Sequence, residues 1–142
     1  MVLLRPLVGA LALVIVAAAC ATAPSGPAQR GSALGEQRSE AEAVTIVARW
    51  TTSGAAALDL SLDTHSVDLD GFDLASLTRA RVDGGAWLAA SQWDAPKGGH
   101  HRSGTLRFAA LDRERLDSAR TIEVEIRDIA TPVRLLRWER PT

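Results

Sequence analysis

From residue 43 onward, apolar side chains recur at every second position, and that period leaves few folds open. Val44, Ile46, Ala48 and Trp50 alternate with Thr45, Val47, Arg49 and Thr51. Leu58, Leu60 and Leu62 alternate with Asp59, Ser61 and Asp63. Strand side chains point to opposite faces in turn, so each run reads as a strand with one buried face. The same reading gives strands over Leu77 to Val82, Ala86 to Ala90, Thr105 to Ala109 (Leu106 and Phe108 inward), Arg120 to Arg127 (Ile122, Val124 and Ile126 inward) and Val133 to Trp138. Thr52-Ser53-Gly54, Asp68 to Asp73, Asp83-Gly84-Gly85, the Pro-, Gly- and His-bearing stretch Ser91 to Arg102, and Ala130-Thr131-Pro132 supply the turns. Leu111 to Ala119 is charged and has room for one helical turn, and no stretch carries an amphipathic helical period. The expectation is all-β: a single immunoglobulin-like antiparallel β-sandwich of about seven strands over residues 43–142, with a small closed barrel as the alternative.

What precedes the domain reads as sorting signal and tether. Leu7 to Ala19 is an apolar run behind one basic residue, Arg5, too short to span a bilayer comfortably and suited to the core of a secretory signal. It ends in Val16-Ala17-Ala18-Ala19-Cys20, small residues before the only cysteine of the chain. That pattern resembles the lipobox of bacterial lipoproteins, with Ala17 where leucine is usual, and implies a signal peptide over 1–19 and a lipidated Cys20. A plain signal peptide with an incidental cysteine is the other reading. A lone cysteine excludes an intrachain disulfide, and lipidation would remove a thiol open to oxidation. Residues 20–42, rich in Pro, Gly, Ser and Ala, read as a disordered linker. Ala21 follows the cysteine, not the aspartate associated with inner-membrane retention. The expected location is the cell envelope, lipid-anchored, in the outer membrane facing the periplasm if the host has two membranes.

Lys and Arg number 16 against 17 Asp and Glu, without a basic run, so nucleic acid is not an expected partner. With Tyr absent and only two Phe, the four tryptophans (Trp50, Trp87, Trp93, Trp138) supply the aromatic bulk and are expected in or beside the core.

All three histidines fall in two polar clusters, Asp63-Thr64-His65-Ser66 and Gly98-Gly99-His100-His101-Arg102-Ser103-Gly104. Imidazoles suit copper and zinc, so His65, His100 and His101, with Asp63 or Asp68 completing a shell, form a candidate metal site, although no HxH or HxxxH spacing is present. Otherwise the histidines brace one end of the sandwich. Asp68-Leu69-Asp70-Gly71-Phe72-Asp73 resembles part of a calcium loop but lacks its closing glutamate. Ser66 and Ser103 have histidines and aspartates within the same clusters, yet neither sits in a G-x-S-x-G elbow, so no catalytic residue is expected. The glycine-rich loop from Trp93 to Arg102, with its aromatic and its cations, suits binding of an anion, a glycan or a protein. Asp63, His65, Trp93, His100, His101 and Arg102 are therefore the candidate binding residues.

The segments Leu62-Asp-Thr-His-Ser-Val-Asp-Leu69 and Trp93…Gly98-Gly-His-His-Arg-Ser-Gly-Thr-Leu106, taken as a pair, resemble a family of uncharacterised prokaryotic exported proteins. The resemblance spans roughly Ala43 to Trp138. It implies a shared sandwich in which the two clusters meet in space, and it brings no activity. The sequence thus points to a lipid-anchored envelope protein carrying a non-catalytic binding module for an envelope protein or small ligand. A periplasmic copper or zinc binding protein is the alternative.

Overall fold

The computed structural model describes residues 34–141. The expected signal peptide, Cys20 and most of the expected linker therefore lie outside the described residues. The strands are β1 (Gln37–Ala41), β2 (Val44–Trp50), β3 (Ala57–Thr64), β4 (Thr78–Val82), β5 (Leu88–Ala89), β6 (Gln92–Asp94), β7 (His101–Arg107), β8 (Thr121–Arg127) and β9 (Val133–Glu139), of which β1 falls in the expected linker and β6 in the expected loop Ser91 to Arg102. Two short helices interrupt them, α1 (Leu74–Leu77) and α2 (Arg113–Ser118). One sheet has the order β1-β2-β3-β7-β6 and the other β5-β4-β8-β9, and every pairing is antiparallel. Place β2, β3, β7 and β6 as strands A, B, E and D, and β4, β8 and β9 as C, F and G. The order is then that of an immunoglobulin-like Greek key, with β1 added at an edge of the first sheet and β5 at an edge of the second.

The period-two residues form the core as expected. Ile46, Leu58, Leu60 and Leu62 from one sheet meet Ile122, Val124 and Ile126 from the other, all at most 2 % exposed. Each such side chain contributes about 1.5–3 kcal/mol by leaving water. Trp50 packs against Phe108 and Trp138, with ring centres 5.5 and 5.8 Å apart. Trp93 packs against the core from the side. Trp87 departs from expectation. It lies under the guanidinium groups of Arg79 and Arg81, 4.6 and 4.4 Å from its ring centre, because β4 alternates arginine outward with Thr78, Ala80 and Val82 inward.

Two further differences from the sequence reading bear on function. Gln37–Ala41, expected within the linker, is an edge strand in register with β2 from Gln37↔Ala48 to Ala41↔Val44. None of its side chains is fully buried. It is held instead by Arg134, 4 % exposed, whose guanidinium donates to the carbonyls of Ser39 (3.2 Å), Ala41 (2.9 Å), Val44 (3.0 Å) and Ile129 (3.1 Å). Burial lowers the pKa of that guanidinium from its ordinary value. Second, His101 and Arg102, expected in a loop, begin strand β7, which pairs Asp63↔His101 and Leu62↔Arg102.

The register gives the sandwich two distinct ends. The chain enters at Leu34 and Gly35, where the Trp138 indole N–H donates to the Gly35 carbonyl at 2.6 Å, and β9 ends nearby with Glu139 opposite Thr121. The Asp83–Gly84 turn and α2 share this entry end. There the Asp83 carboxylate accepts from the N–H groups of Arg120 and Thr121, and Arg113 donates to the Thr51 carbonyl. The far end holds the Glu42–Ala43 turn, the connection 65–77, the loop 95–100 and the turn 128–132. Eight residues of β3 run from one end to the other, roughly 25 Å at strand rise.

Candidate functional site

Both polar clusters lie at the far end, and they meet. The Thr64 N–H donates to the His100 carbonyl at 3.0 Å, and the Leu69 N–H to the Gly99 carbonyl at 2.9 Å. The Asp70 carboxylate accepts from Gly98 N–H at 2.8 Å and Gly99 N–H at 3.2 Å. The Gly98 N–H above all, then that of Gly99 and the charges of Arg102 and Lys97, hold the Asp70 carboxyl below its ordinary range. His100 Nδ1 lies 3.0 Å from the Val67 carbonyl, and His101 Nδ1 lies 2.7 Å from the Asp63 carboxylate.

The glycines between them are fixed by backbone geometry. A Cβ on Gly98 would run into the His101 carbonyl, and one on Gly104 into Asp94 and Ala95. Gly99 has φ +63°, the left-handed region that favours glycine. Arg102, an expected binding residue, is 9 % exposed and faces inward. Its guanidinium donates to the carbonyls of Leu69 (3.0 Å), Phe72 (2.7 Å) and Pro96 (3.2 Å), and sits 5.7 Å from the centre of the Trp93 ring. Trp93 is half-buried, and its buried indole N–H has no hydrogen-bond partner among the described residues. These two side chains pack together at this end, and Arg102 spends its donors on backbone carbonyls within the fold.

The three aspartates that resemble a calcium loop are likewise engaged. Asp68 accepts from the Asp70 N–H, Asp70 binds the glycine loop, and Asp73 caps α1 by accepting from the Ala75 N–H. Such side-chain turns are the ordinary work of aspartate in connections.

A narrower set shares one solvent-facing concavity. Asp63, His65 and His101 line a concavity of about 670 Å³ with Arg38, Glu40 and Thr45. His101 is 69 % exposed in its side chain, and His65 makes no hydrogen bond among the described residues. His100 is exposed but turned to Val67, outside this concavity. The outer face of the sheet continues the site as a ladder of polar pairs between β3 and β7. Asp63 pairs with His101, Ser61 with Ser103 (3.0 Å) and Asp59 with Thr105 (2.9 Å), beside a second concavity of about 440 Å³ bounded by Glu36 and Arg49. Sequence reasoning missed this ladder, although the polar positions Asp59, Ser61 and Asp63 already lay on one face. Among the described residues, no three histidine, cysteine or carboxylate groups are placed to hold one metal ion.

The arrangement is that of an immunoglobulin-like sandwich whose B–C and D–E connections carry a cross-braced polar end. Comparison with family models, with curated proteins and with solved structures finds no match to this chain.

Proposed function

We propose that this chain is a lipid-anchored protein of the cell envelope whose sandwich is a non-catalytic binding module, working through its far end. The observation that carries the reading is the placement of the concavity around Asp63, His65 and His101. It lies at the end opposite the point where the chain enters the domain. An anchor at Cys20 would hold the entry end toward the membrane and leave the far end facing outward. By analogy alone, the B–C and F–G connections of this topology are where variable domains carry their ligand loops. The solvent-facing groups are carboxylate, imidazole, hydroxyl and guanidinium, which suits a polar partner or small ligand over an apolar one.

The test has two arms. Metabolic labelling with an alkyne-bearing palmitate should mark the parent chain and not Cys20→Ser, which should also leave the membrane fraction. A photo-crosslinking residue at position 65 should capture envelope partners, and the same residue at position 84, on the entry end, should not. Equal capture at both ends would remove the far end from the proposal.

The copper or zinc reading keeps one specific support, that Asp63, His65 and His101 border a single concavity. Isothermal titration of Cu(II) and Zn(II) into the protein, beside His100→Ala/His101→Ala and His65→Ala variants, decides it. One-site binding at micromolar strength or tighter that the variants abolish would put it first. Heat that is absent, or unchanged in the variants, would end it.

A further inference from the structure

We propose that the N-terminal strand is exchangeable. Residues 34–41 of one copy can occupy, on a second copy of the chain, the place they fill on their own. Three observations lead there. The hinge between β1 and β2 is two residues long, Glu42 and Ala43, between the partners Ala41 and Val44. Glu42 stands at φ +51°, a left-handed conformation in which a side chain with a Cβ is strained. Opening the hairpin into one extended strand from Gln37 to Trp50 releases that strain, and short strained hinges are what favour exchange.

The contacts that hold the strand are also of a kind an identical chain reproduces. With no fully buried side chain of its own, β1 depends on its ladder to β2 and on Arg134 reaching the carbonyls of Ser39 and Ala41. Just before it, Leu34 is buried in the core and Gly35 accepts from Trp138. Leu34, Gly35 and β1 can therefore move together, since every partner they leave, the donors Arg134 and Trp138 included, is offered again by the second copy. The exchanged pair loses no native contact. It gains relief at two hinges and is opposed by the entropy of association, so the balance depends on local concentration.

The hinge borders the concavity of the far end, whose lining includes Arg38, Glu40 and Glu42 beside His65 and His101. Exchange would build each concavity from two chains. The inference stands on the hinge and the clasp and does not rest on the binding reading above.

Disulfide trapping in the full-length protein tests it. Arg38 and Val47 are direct cross-strand partners on the outer face. Arg38→Cys and Val47→Cys, carried on two differently tagged copies and co-expressed with export, should give a disulfide joining the two tags. That band should be missing when either variant is paired with the parent chain. Glu42→Gly, which removes the strain, should lower the trapped fraction several-fold. A double variant on one chain that closes fully within itself, with no band joining the tags, would show that β1 stays home and overturn the proposal.

Discussion

Replacing Arg102 by Met separates a brace from a binding residue. The side chain keeps its apolar stem but loses three hydrogen bonds, to Leu69, Phe72 and Pro96. A hydrogen bond from a charged donor contributes about 1.5–3 kcal/mol, and a buried acceptor left alone costs about 1–3 kcal/mol. Against this, removing a buried guanidinium recovers part of its desolvation cost, and the three bonds are not additive. A net loss of about 3 kcal/mol follows, near 1 kcal/mol per carbonyl. With a urea m-value on the order of 1.5–2 kcal/mol/M, the midpoint followed by far-UV circular dichroism should fall by roughly 1.5–2 M. The melting temperature should drop by roughly 12 °C. Arg107→Met is the control, since Arg107 is exposed on the same strand, and it should shift stability by less than about 0.5 kcal/mol. Arg102→Lys should recover less than half the loss, because one ammonium cannot reach three carbonyls in fixed directions. If Arg102→Met melts with the parent protein, the far end is not held by this side chain and Arg102 returns to the list of surface groups.

Three other outcomes are expected. Gly104→Ala should destabilise the fold by about 2 kcal/mol or more in urea titration, as the new Cβ meets Asp94 and Ala95; a neutral result would mean the loop 94–96 gives way freely. Arg134→Met should lower the urea midpoint and speed amide exchange in β1 more than in β8, because four carbonyls lose their donor and two belong to β1. Stability should be level from neutral pH down to the ordinary carboxylate range and then fall. The Glu123 and Glu125 carboxyls, bonded first by Arg81 and Arg79, and Asp70, bonded first by the Gly98 N–H, all sit below their ordinary values of 4.5, 4.5 and 3.8. Folded-state pKa values that are depressed give stability present above those values and lost as pH falls through the lower, folded ones. Glu123→Gln should start less stable and show a shallower acid limb; an unchanged limb would count against Glu123 as a contributor.

The alternation of Leu58, Leu60 and Leu62, and of Ile122, Val124 and Ile126, made the sandwich legible because each strand buries one apolar face. Strand β1 was illegible for the opposite reason. Its sequence Gln-Arg-Ser-Glu-Ala has no apolar face, and its clasp, Arg134, lies 95 positions from Ser39. The start of β7 was hidden likewise: the inward residue there is Arg102, whose charge breaks the apolar period and reads as a loop. The candidate cluster was legible as composition but not as geometry. Both polar segments were visible, but not that Asp70 would bind the glycine loop, or that His65 and His101 would share a concavity while His100 turned away.

The chain contains no tyrosine, so near-ultraviolet optical activity comes almost entirely from its tryptophans. Trp50 and Trp138 meet edge-on inside the core at 5.8 Å, close enough for their transitions to couple. Trp93 lies instead beside Arg102 at the far end, and Trp87 under two arginines on the outer face of the second sheet. The molecule thus carries a coupled chromophore pair for its interior and separate single indoles for its braced end and its surface. Loosening of the far end and melting of the core should be distinguishable in one unlabelled spectrum.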